Sequence, residues 1–119
     1  MRIASLRLHW SIPYREYATR EDSSRQRNDL WGWVHQDAGA KAFLLAITNE
    51  DGKWSGHEPF FIAAPDTTQN RDTQVLRELY WAHVPLKEGK SLTGRMSFFD
   101  CTKAERLLGW RHEVPSPAN

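Results

Sequence analysis

Cysteine is almost absent: Cys101 stands alone, so no internal disulfide can form and no thiolate set can enclose zinc. A reducing compartment is the simplest reading, and we expect a cytoplasmic protein. Charge of one sign is also lacking. Sixteen Lys and Arg stand against fifteen Asp and Glu, for a formal net charge of +1, which leaves no field to attract nucleic acid or an anionic membrane. No apolar run approaches the roughly 20 residues that span a bilayer. The opening residues Met1 to His9 alternate instead of building a signal-peptide core. Neither nucleic acid nor a membrane is expected as a partner. The seven glycines, at 32, 39, 52, 56, 89, 94 and 109, are scattered, so none of the clusters that cradle phosphate at a helix start is present.

Aromatic side chains, in contrast, are plentiful. Six Trp, three Tyr and five Phe occur in a chain of mean hydropathy −0.69, so buried aromatic anchors must supply much of the core. A length of 119 residues allows one domain but not a nucleotide-binding fold plus a substrate lobe.

The residue pattern predicts an α/β order. Leu6, Leu8, Trp10 and Ile12 repeat at period two, giving a strand over residues 3–12. Residues 13–29 are polar and predict an exposed, mobile loop with at most one helical turn. Trp31 to His35 is β-prone, and Asp37 is placed to cap a helix over 38–49 whose packed face holds Gly39, Phe43, Ala46 and Ile47. Pro59 to Pro65 encloses a continuous apolar run, the pattern of a strand covered on both faces. Asp66, Thr67 and Thr68 are cap candidates for a helix over 70–82 carrying Val75, Leu76, Leu79 and Tyr80. Met96 to Phe99 suits a short edge strand. Thr102 and Glu105 match a capping box for a last helix that ends at Gly109, with Trp110 folding back on it.

Four of these segments, in order, resemble the C-terminal half of the extended short-chain dehydrogenase/reductase family, which contains the NAD-dependent sugar-nucleotide epimerases and dehydratases. They are Ser5-Leu6-Arg7-Leu8, Trp31 to His35 with its helix, Phe60 to Thr67, and the closing Lys103-Ala104-Glu105-Arg106-Leu107-Leu108-Gly109-Trp110. The last is the most specific. The resemblance implies an incomplete C-terminal lobe with few short strands and about three helices. Residues 1–113 then make one partial domain with no complete Rossmann fold, and 114–119 a disordered tail.

The departures decide what such a lobe can do. The family's glycine-rich turn is missing, as is its tyrosine with a lysine four positions on. Tyr14, Tyr17 and Tyr80 are followed at that distance by Ala18, Glu21 and Val84. Both absences follow if the chain starts about where the family's last sheet strands start. The aspartate-valine pair after the second strand is also displaced, with Ala38 and Gly39 in its place and Asp37 one position early. No catalytic residue is assigned, and no cofactor is expected on this chain alone, although the resemblance implies NAD or NADP in the parent family.

Substrate contacts are assigned to three residues. Arg95, before the expected edge strand, resembles the position that holds a substrate diphosphate, which a guanidinium binds through two donors. Arg27 precedes the second strand. His35, at that strand's end, is read either as a polar group at the cleft mouth or, the reading we favour, as a histidine bonded to backbone. With Asp37 it offers two metal ligands, too few for a closed site. Phe98, Phe99 and Trp110 are read as core, and Ser97, Asp100 and Lys103 as capping and surface residues.

Three readings follow. The chain is a truncated epimerase/dehydratase relative that shapes a nucleotide-sugar pocket, is inactive alone and lacks its nucleotide-binding half. Alternatively it is a non-catalytic interaction module that binds another protein or its own copy, or a gene-model fragment. An exposed apolar face around Leu6, Leu8 and Trp10 is expected to drive self-association.

Overall fold

The computed structural model describes residues 1–19 and 24–114. Among them the chain forms a small α/β unit with two parallel two-stranded sheets and five helices. Among the described residues no helix is long and apolar enough to cross a membrane. The tail expected to fray lies, beyond residue 114, outside the described residues.

Period-two alternation makes a strand of the opening residues, but the strand breaks at His9. β1 spans Arg2–Leu8 and β2 spans Trp10–Ile12. The break lets one segment serve two sheets: β1 pairs in parallel with β4 (Gly56–Ile62), and β2 pairs in parallel with β3 (Trp33–His35). His9 fills the joint, its ring centroid 3.9 Å from that of Phe99. It can do so only because residue 32 is glycine, where a Cβ would sit 2.9 Å from the His9 ring.

The segment read as a loop contains two short helices, α1 (Glu16–Thr19) and α2 (Ser24–Asn28), with residues 20–23 outside the described part. Leu30 and Trp31 leave α2 with φ of 53° and 52°, a left-handed conformation that costs a non-glycine residue about 1–2 kcal/mol. Burial of the Trp31 ring, 1% exposed, against Tyr80 and Phe98 offsets that cost.

Helix α3 runs over Gln36–Thr48. Its N-cap is His35, whose Nδ1 accepts the Asp37 N–H at 3.1 Å, so Asp37 lies inside the first turn and does not cap it. The packed face differs from expectation as well. Ala38, Gly39 and Ala42 are buried, while Phe43 and Ile47 are exposed. The small residues let the helix approach β1 closely, since a Cβ at residue 39 would sit 3.0 Å from a Leu8 methyl, and this turns the bulky residues outward. Leu6 and Leu8 are half-buried against the core. The exposed apolar surface beside β1 therefore belongs to α3, and of the three residues expected to form it only Trp10 is exposed.

Helix α4 is shorter than its pattern, Thr73–Tyr80, and starts after Asp72. Asp66, Thr67 and Thr68 take other partners. The Met96 to Phe99 strand is reduced to one antiparallel bridge, Asp66 to Met96. Helix α5 (Thr102–Leu108) has Cys101 as its N-cap and no capping box; Asp100 Oδ1 accepts the Thr102 N–H at 2.9 Å, and Glu105 binds Arg111. That backbone hydrogen bond holds the Asp100 carboxyl below its ordinary pKa. At the other end Gly109 is left-handed, φ 71°, and Trp110 N–H closes the turn onto Ala104 O.

The main core joins Val34, Ala38 and Ala42 to Phe60, Ile62, Ala104, Leu108 and Trp110. It covers one face of the β1/β4 pair, the face of Leu6, Leu8, Phe60 and Ile62. On the other face Ile3 and Phe61 are exposed by 50% and 40%, so the run expected to be covered twice is fully covered only at Ala63 and Ala64, and at Phe61 only in part, by Phe99 and His9. Trp110 is the largest tie, 1% exposed and donating Nε1–H to Ala38 O at 2.9 Å. Replacing it, Trp110→Ala, is expected to cost about 3–5 kcal/mol, read as a lowered urea midpoint. Gly32→Ala should cost about 1–3 kcal/mol through displacement of the His9 ring.

Candidate functional site

The carboxyl ends of β2, β3 and β4 point to one region, where parallel sheets commonly bind ligands. Its centre is Asp66, just beyond β4. One carboxylate oxygen accepts Trp33 Nε1–H at 3.0 Å and the other lies 3.1 Å from Arg15 Nε. Arg15 follows β2 and extends to the same turn, donating to Thr67 O at 2.9 Å and to Gln69 O at 2.6 Å. Burial lowers the Arg15 pKa, partly countered by Asp66. One aspartate thus ties the end of β2, the side chain of β3 and the turn after β4 together.

The turn also fixes the place of Arg95. Thr67 N–H donates to Arg95 O at 3.0 Å, and Ser97 N–H to Pro65 O at 2.9 Å. The Arg95 side chain is exposed and lies near enough to Arg15 to depress its pKa. Two guanidinium groups therefore share one rim of this region, with one carboxylate between the strands behind them.

His35 is buried, and both its groups are directed into the protein. Its ring caps α3, and its backbone N–H donates to His112 Nε2 at 3.0 Å. His112 must keep a lone pair on Nε2, so the bond holds only while that ring is neutral. Burial pushes the His112 pKa down and His35 adds to the effect, against the pull of Asp66. His112 also packs edge-on to Trp33, centroids 5.1 Å apart. Arg27 lies on α2 with its guanidinium 4.5 Å from the Tyr80 ring centroid. The second helix is tied to the turn through Gln26, whose Oε1 accepts the Thr68 hydroxyl at 2.9 Å.

Arg95 and His35 are thus linked through Asp66 and His112, while Arg27 lies across Trp31 on the α2–α4 side. Arg15, Asp66 and His112 were not singled out by sequence as site residues; the first two signalled only by polarity after a strand, and His112, after α5, not at all. Among the described residues no three His, Cys, Asp or Glu side chains are grouped to hold a metal ion. Cys101 is half-buried, its Sγ 3.6 Å from Ala63 O, and burial raises its pKa. No glycine cluster opens a helix among the described residues. Gly32 and Gly39 are packed against side chains, the other five glycines lie in isolated left-handed positions, and the N-terminus of the 13-residue α3 is closed by the His35 ring.

No family model, no curated protein and no solved structure matches this chain.

The His112 shift has a pH consequence. The folded-state pKa lies below the ordinary 6.5, so the unfolded chain takes up the proton first. The His112 contribution is full above pH 6.5 and is lost as pH falls through the folded-state value. Thermal midpoints of the wild type are expected to fall between about pH 7.5 and 5.5. His112→Gln, which can still accept from His35 without titrating, should flatten that fall; an unchanged slope would remove His112 from the account.

Proposed function

We propose that this chain is the substrate-binding lobe of an NAD-dependent epimerase/dehydratase-like protein, of the extended short-chain dehydrogenase/reductase type. On its own it recognises the phosphate of a nucleotide-sugar ligand without binding NAD(H) or turning substrate over. The observation that carries this reading is the β1/β4 pair. A two-stranded parallel sheet is rarely stable with one face bare, because parallel strands are normally covered on both. The second half of β4, Pro59 to Ile62, has the apolar sequence of a doubly covered strand, yet on the outer side of the pair Ile3 of β1 is 50% exposed, and Phe61, though packed on Phe99, is still 40% exposed. Such a pair is what remains at the border of a larger parallel sheet.

The order of the four resembling segments supports the same reading, as does the meeting of strand ends at Asp66. Under it, Arg95 contacts the diphosphate from the rim. Arg15 supports it electrostatically, with its own donors committed to the Thr67–Gln69 turn. Arg27 serves from the α2 side, where Tyr80 holds its guanidinium. His35 acts by positioning, because its Nδ1 is engaged in the cap. The dehydrogenase chemistry of a complete protein would need a glycine-rich turn and a proton-shuttling tyrosine supplied from residues outside this sequence. A second reading, a non-catalytic interaction module, is favoured by the exposed Phe43, Leu44 and Ile47 on α3.

Calorimetric titration separates the two. The lobe reading expects heat with a UDP-sugar, weakened about tenfold, some 1.4 kcal/mol, in Arg95→Ala, and no heat with NAD(H). Micromolar NAD(H) binding would overturn it, and silence with both ligands would favour the interaction module.

A further inference from the structure

We propose that the free edge of β1 is a self-association surface, and that two copies of this chain pair antiparallel across it about a two-fold axis at Ser5. The proposal concerns the isolated chain and does not depend on the substrate-lobe reading.

The backbone specifies the edge. His9 N–H donates to Ile62 O. Since successive residues of a strand alternate direction, the N–H and C=O groups of Arg2, Ala4, Leu6 and Leu8 point away from β4. Among the described residues β1 pairs with β4 alone, so this row is open and can template another strand. Beside it lies an open groove of about 470 Å³ bounded by Arg2, Ala4, Leu6, Phe43, Ala46 and Ile47. Phe43, Leu44 and Ile47 are 51%, 59% and 80% exposed, an apolar ridge that nothing in one copy covers.

The occupant follows from the register. With Ser5 opposite Ser5 of a second copy, Arg2 faces Leu8, Ile3 faces Arg7, and Ala4 faces Leu6. All seven residues of β1 pair, no two like charges oppose each other, and inner-face residues meet inner-face residues. The residues with outward-pointing backbone groups become the hydrogen-bonded pairs, and Ser5 becomes a non-hydrogen-bonded pair on the axis. A register shifted by two residues leaves part of the strand unpaired. The axis is perpendicular to the sheet, so both copies of α3 lie on the same side of the four-stranded sheet. Their Phe43 and Ile47 then close each other's groove, as a self-complementary interface requires.

Sedimentation velocity of the full chain over a concentration series tests this. The wild type should be a dimer at micromolar concentration. Ile47→Lys places two ammonium groups together on the axis side. Ala4→Pro removes an edge N–H from a position where proline is tolerated in an edge strand. Each should raise the dimer Kd at least about tenfold with an unchanged far-ultraviolet spectrum. In a Cys101→Ser background, Ser5→Cys should form an interchain disulfide, because Cα atoms of a non-hydrogen-bonded pair are about 4.5 Å apart, and Arg7→Cys should not. A monomeric wild type would mean that the edge takes no second copy. Dimers that survive both Ile47→Lys and Ala4→Pro, or that cross-link equally through Arg7→Cys, would place the interface elsewhere; each of these results overturns the proposal.

Discussion

The buried indole of Trp110 ties the end of α5 to α3 over the β1/β4 pair. Its ring enters the core beside Phe60 and Leu108, and its N–H satisfies a carbonyl in the first turns of α3. Without it, α5 and α3 would meet over a two-stranded sheet too narrow to bury them both. The left-handed Gly109 is what aims the ring inward, since it reverses the chain at the end of α5. Everything on the covered face of β1 and β4 depends on that reversal.

A second constraint acts at the joint between the sheets. His9 interrupts the first strand and packs at a tilt on Phe99, and the absent side chain at Gly32 gives it room. The break separates a sheet that carries the core from one that carries the candidate site. Across it, Asp66 gathers Trp33 and Arg15, so the turn after β4 is tied to both β3 and the start of α1. The rim bearing Arg95 is thereby mounted on three elements. A position held in this way can present a fixed guanidinium to an anion, which is the physical content of the substrate-lobe proposal.

Local structure was legible where one segment carried its own signal. The Gly109–Trp110 reversal, the helix after His35 and the apolar strand before Pro65 all follow from patterns read along the chain. Caps were less legible because they compete. His35 reached the Asp37 N–H before Asp37 could act as cap, and Asp100 accepts the Thr102 N–H, the bond expected of Glu105. The candidate site was only partly legible. Arg95 and His35 were singled out, but the groups that connect them, Asp66 and His112, are 46 residues apart in sequence and acquire meaning only by meeting.

The sequence by itself determined which segments could be helix or strand, the absence of a cofactor-cradling glycine cluster, and the aromatic character of the core, because these rest on composition and short-range periodicity. Tertiary structure decided which faces are buried. The Ala38, Gly39 and Ala42 face of α3 won over the bulkier Phe43 and Ile47 face because small side chains allow the helix axis to approach β1. Whether an apolar strand is covered once or twice is likewise not a property of the strand. It depends on the number of layers available to pack against it, and for β1 and β4 the described residues supply one full layer.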